Sequence, residues 1–355
     1  MKRQVSFLIL TVIFLGLLSG CATTTIQYRD PIYTQAIEKG TVLHQFSLEA
    51  GLEEKILSLN PDRITERDVQ DVLSKATAPR IINIHGGIYP VHLCMISFSE
   101  FLIGMGYPES KIRSPGNGSL SFSCYESSEK MAGALAWYYE REGLRPVIVG
   151  HSQGGIQAVK VLHELTGAFN DKLRVWNALT EKYEERVTIV DPVTGTIVPV
   201  VGLKASYTTA LGAGGFTRFL PNQWIMTGRL RTIPDTTVEF TGFVMSMDLL
   251  GGDLLGFGPA NRYEANGKAE VRNVRLPLGY NHVTVPVTSH LTESQEIKDW
   301  INHYIPSEAP EINVTFQSSS SNILWAADVW HSIKKHWVLE LQRVIRAKRD
   351  MVDAR

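Results

Sequence analysis

Apolar positions along this chain recur with two periods, and the switches between them divide it into strands and helices. The short apolar runs at 81–84 and 147–149 predict strands. Within 127–142, Met131, Ala134, Leu135 and Tyr138 fall at helical spacing, and Gly143 supplies a stop. A further helix is expected over 91–105, before the break at Gly106-Tyr107-Pro108. After Gly155, the residues Ile156, Val159, Leu162 and His163 share one helical face. Strand, helix, loop, helix, strand, tight turn and helix in that order predict an α/β protein with a mostly parallel sheet and crossover helices.

The pattern continues to the carboxyl end. Residues 239–248 read as a strand ending in a carboxylate, 271–276 as another strand, and 293–304 as a helix. Two β-type runs around a Pro-x-x-Gly turn at 188–200 predict a hairpin. Thr65-Glu66-Arg67-Asp68 ahead of Val69, Val72 and Leu73 is a capping signal for a short helix. A last helix, 322–351, opens with Ile323, Leu324, Ala327, Val329 and Trp330 and becomes basic from Lys334 to Arg349. It is read either as lying on a membrane surface or as docked on the domain.

The amino end follows neither period. Met1-Lys2-Arg3-Gln4 precedes an apolar run over 5–18 and then Ser19-Gly20-Cys21, which describes a secretory signal peptide over 1–20. The run is too short for a comfortable membrane span. Leu18-Ser19-Gly20-Cys21 resembles the lipobox of bacterial lipoproteins. That resemblance implies that Cys21 becomes the lipidated first residue and membrane anchor, and Ala22 after it leans the address toward the outer membrane. The expected division is an extension over 21–75, a main domain over 76–306, and a linker with the last helix over 307–355. Export permits disulfides, so Cys94 and Cys124 form either one bridge or two buried free thiols.

Charge adds an exclusion. Lys and Arg number 35 against 36 Asp and Glu, a net charge of −1, which offers nucleic acid no electrostatic footprint. No Cys or His cluster has metal spacing and no glycine loop cradles phosphate, so neither a metal nor a cofactor is expected.

The chemistry centres on Gly150-His151-Ser152-Gln153-Gly154, placed between the strand at 147–149 and the helix after Gly155. Flanking glycines allow a strained reversal that lifts the serine hydroxyl above the sheet edge, and the N–H of Gln153 then stands at the helix amino end, where an oxyanion would bind. His85-Gly86-Gly87 ends the strand at 81–84, and Gly87 or Ile88 is the second candidate oxyanion donor. Together these segments resemble an α/β-hydrolase of the serine esterase and lipase type, closest to bacterial lipase-like lipoproteins, over about residues 80–305.

The resemblance implies helices on both faces of the sheet and an insertion between nucleophile and acid, expected at about 183–230. It also implies a Ser, Asp or Glu, His triad in that chain order. Asp248 or Asp253 is the candidate acid, and His282 or His290 the candidate base. Phe216, Phe219, Trp224 and Met226 are read as lining an acyl pocket or as ordinary core. The expected substrate is a small-molecule or lipid ester. Acyl transfer on the same triad and a non-catalytic binding role in the envelope are the alternatives.

Overall fold

Six segments assemble one sheet: β1 (Ile81–His85), β2 (Phe122–Ser123), β3 (Val147–His151), β4 (Ala205–Leu211), β5 (Thr237–Met245) and β6 (Glu270–Leu276). In this computed structural model, which describes residues 48–49, 51–214, 221–251 and 261–353, the strand order is β6-β5-β4-β3-β1-β2. Every pairing is parallel, with Ile82 beside Ile148, Val149 beside Thr209 and Thr209 beside Thr241.

Parallel neighbours need crossovers, and helices provide most of them. The chain supplies α1 (Leu52–Ser58), α2 (Glu66–Asp71), α3 (Tyr89–Gly104), α4 (Ser128–Glu142), α5 (Gln153–Leu165), α6 (Gln295–Asn302) and α7 (Ile323–Asp353). Local signals set several boundaries. Thr65 and Asp68 close a reciprocal capping box on α2, the Ser127 side chain accepts the Lys130 N–H at the start of α4, and Gly143 ends α4 in the left-handed region at φ 78°.

Strand alternation divides the core in two. Ile81, Val147, Val149, Tyr207 and Phe243 face one layer with α1, α2, α3, α6 and α7. Ile82, Ile84, Ile148, Ala210 and Phe240 face the other with α4 and α5. Each residue of β1, β3 and β4 is buried, as expected of parallel strands covered on both sides.

Two open alternatives are decided at this level and one expectation changes. The basic last helix is docked on the domain, the second of the two readings: Trp325, Trp330 and Trp337 are fully buried in the first layer, and α7 packs against β4, α1 and α6. Its charges are matched within the fold, Lys335 by Glu239, Lys348 by Glu53 and Arg349 by Glu54.

The insertion expected at 183–230 contains β4, a central strand. Ala205–Leu211 is rich in Ser and Thr and buried on both faces, so it lacks the apolar run or alternation that marks a strand in sequence. The same interval also holds the hairpin of Thr188–Val190 with Ile197–Pro199 and, after β4, the turn Pro221–Met226.

Cys94 and Cys124 are buried and not bridged, the second of the two readings. Cys124 belongs to the second layer, and Cys94 is buried on α3. The signal sequence 1–20 and Cys21 lie outside the described residues. Among the described residues no helix is long and apolar enough to cross a membrane.

Candidate active site

In a parallel sheet the carboxyl ends of all strands open on one edge, where ligands of such folds bind. Here each of the six strands delivers a piece of one constellation. Ser152 follows β3, Gly86 and Gly87 follow β1, Tyr125 follows β2, Gly212 follows β4, Asp248 follows β5 and His282 follows β6.

Ser152 takes φ 57° and ψ −125°, a conformation that costs a non-glycine residue roughly 1–3 kcal/mol. Its surroundings hold it there. The Ser152 N–H donates to the Leu211 carbonyl at 2.8 Å, and α5 passes so close to the sheet that a Cβ on Gly154 would lie 2.2 Å from the Ile84 carbonyl oxygen.

The Ser152 hydroxyl stands 2.8 Å from His282 Nε2, and His282 Nδ1 stands 2.8 Å from Asp248 Oδ2. The other Asp248 oxygen accepts the Gly251 N–H at 2.7 Å. Asp248 and His282 are buried while Ser152 is partly open. With Nδ1 donating to the carboxylate, the imidazole presents an acceptor nitrogen to the hydroxyl, and a proton leaving Ser152 has a place to go.

Gly212 was not singled out in the sequence, yet the pair depends on it. Its φ is +58°, and a Cβ there would meet His282 Nδ1 at 3.0 Å and Asp248 Oδ2 at 3.1 Å. Only the glycine-rich stretch Gly212-Ala213-Gly214-Gly215 hinted at it.

Two more histidines act on the backbone around the site. His151 Nε2 donates to the His282 carbonyl at 2.6 Å, and His85 Nδ1 donates to the Gly86 carbonyl at 2.8 Å. Burial holds His85 down to about 4, and burial together with the neighbouring His282 ring pushes His151 well below the usual histidine range. Both rings therefore stay neutral near pH 7, and the carbonyl partners select the tautomers.

The Tyr125 hydroxyl donates to the Gly87 carbonyl at 2.9 Å. A Cβ on Gly87 would meet the Gln153 Oε1 at 2.5 Å and the Tyr125 hydroxyl at 2.7 Å, so these three residues are in close contact beside the serine. As first residue of α5, Gln153 has an N–H with no carbonyl one turn back, and this N–H and the helix dipole favour an anion at that position.

His290 lies elsewhere, in the short turn Ser289–Thr292, and its Nε2 meets the Ser321 hydroxyl at 3.1 Å. Asp253, Phe216 and Phe219 lie outside the described residues. Of the other two candidate pocket residues, Met226 is buried in the second core layer and Trp224 is exposed. Among the described residues no group of three or more His, Cys, Asp or Glu side chains could hold a metal ion. Comparisons of the chain with protein-family models, with curated proteins and with solved structures find no match.

Proposed function

We propose that this chain is a serine hydrolase of the α/β-hydrolase type that cleaves carboxylic esters, anchored in a bacterial envelope through Cys21. The observation that carries the reading is the relay Ser152–His282–Asp248, with both contacts at 2.8 Å, built on a serine at positive φ. The all-parallel order β6-β5-β4-β3-β1-β2, with the serine after a central strand, supports it.

In the proposed reaction His282 Nε2 takes the Ser152 proton as Oγ attacks the ester carbonyl. Asp248 stabilises the imidazolium, and the N–H groups of Gln153 and Gly87 bind the oxyanion. Collapse of the tetrahedral intermediate breaks the bond to the alcohol, which leaves with the proton from His282. Water, deprotonated by the same ring, then releases the acid from the acyl-enzyme.

Exposed apolar residues at the carboxyl edge support an apolar acyl group: Met247, Leu249 and Leu250 after β5, and Leu278 after β6. A fluorophosphonate should label Ser152, and Ser152→Ala should cut turnover of p-nitrophenyl butyrate by about 10⁴-fold or more with the fold intact. Full turnover in that variant would sink the reading.

A further inference from the structure

Between the turn after β2 and α5, closed also by Phe169, Asn170 and Gln223, lies a cleft of about 380 Å³, within the range of roughly 300–1,000 Å³ typical of small-ligand sites. It adjoins the candidate catalytic machinery. Tyr125, which bonds Gly87, is one wall, and Gln157 on the floor is one turn of α5, about 6 Å, beyond Gln153. Lys160 and Glu164 extend the same helical face.

The lining is polar where the other flank of the serine is apolar. Gln223 is 3% exposed, and its buried Oε1 has no hydrogen-bond partner although it borders the cleft. An acceptor left so carries an uncompensated desolvation cost, which a ligand donor would offset. Three carboxylates, Glu126, Glu129 and Glu164, also border the cleft against one lining cation, Lys160. This balance disfavours an anionic group and offers mostly acceptors. Phe169 adds an aromatic face of the kind on which the apolar side of a sugar ring packs.

We infer that this cleft binds the alcohol portion of the ester, and that this portion is a neutral polyol such as a glycosyl group. The inference rests on the serine hydrolase reading above. Such a substrate would extend from Ser152 in two directions. The polyol lies toward the turn after β2 and α5, and the acyl chain toward the apolar loops after β5 and β6.

The test compares three butyrate esters on the purified protein: 6-O-butyryl-glucose, hexyl butyrate and butyrylcholine. The wild type should favour the glucose ester by kcat/KM. Gln223→Leu should lower the glucose-to-hexyl ratio about tenfold, mainly through KM, the size expected for one substrate hydrogen bond. Asn170→Ala, at an exposed position bordering the cleft, should lower it in the same direction and keeps the test open if Gln223→Leu fails to fold.

A wild-type preference for the hexyl or choline ester, or a ratio unmoved in the folded variants, overturns the assignment while fluorophosphonate labelling of Ser152 leaves the hydrolase reading standing. Loss of both labelling and turnover overturns the two together.

Discussion

Among the described residues two histidine–carboxylate pairs sit on this sheet, and they differ in what stands beyond the ring. His282 meets Asp248 at 2.8 Å at the carboxyl edge, and His336 of α7 meets Glu239 of β5 at 3.1 Å under the last helix. In the second pair the remaining neighbours are cations and rings: Lys335 bonds the same Glu239 oxygen at 2.7 Å, and Tyr207 stacks on His336 with centroids 5.4 Å apart. The pair belongs to regular helix and strand. In the first, the far nitrogen faces a serine held at φ 57°, the residue before the acid, Met247, sits at φ 63°, and Gly212 makes room for both groups. An imidazole beside a carboxylate is thus a common structural device. A strained backbone and an aligned nucleophile make it a candidate for chemistry.

That contrast breaks first at the acid. Asp248→Asn should cut ester turnover by roughly 10³–10⁴-fold, because the amide no longer selects the tautomer, while the melting temperature moves little. Steady-state rates on p-nitrophenyl butyrate beside a thermal melt give both readings. Gly212→Ala should come next, with a loss of about 10–100-fold in kcat, because its Cβ would displace the His282–Asp248 pair by a few tenths of an ångström.

Glu239→Gln should behave in the opposite way. Turnover should stay within about twofold, while denaturant unfolding shows a loss of about 2–3 kcal/mol, because Lys335 and His336 lose their shared carboxylate. A large kinetic effect there would erase the distinction between the pairs.

Acid titration separates them more finely. Burial opposes ionisation of Glu239, but the hydrogen bonds and charges of His336 and Lys335 outweigh it and bring the carboxyl down to about 2. A depressed carboxyl contributes stability above its unfolded value of 4.5, and that contribution fades as pH falls toward 2. His85 and His331, both held down to about 4 chiefly by burial, stay neutral in the fold while the unfolded chain protonates below 6.5, so their effect destabilises as pH falls from 6.5 to 4. The melting temperature should therefore decline in two stages, and Glu239→Gln should flatten only the stage below about 4.5. A single unchanged profile in both proteins would contradict this division.

Much of the architecture was legible along the chain because it rests on neighbours in sequence. The capping box at Thr65, the stop at Gly143 and the strand–turn–helix around Ser152 each follow from contacts within a few residues. β4 was not legible, since its Ser and Thr side chains are buried only because sheet neighbours and helices cover both faces. Nor was the seat of α7, whose basic surface reads alike for a membrane and for the carboxylates of α1 and β5.

The sequence alone determined that a serine would stand at a sharp bend between strand and helix, for glycine spacing and the helix amino end are local properties. It left two aspartates and two histidines as partners and two cysteines undecided. Tertiary structure alone selected among the described groups, joining His282 to Ser152 across 130 residues and to Asp248 across 34, and leaving the two buried thiols unbridged. The reason is physical: strand order decides which carboxyl ends lie side by side, and strand order depends on the packing of whole helices rather than on the residues that flank each loop.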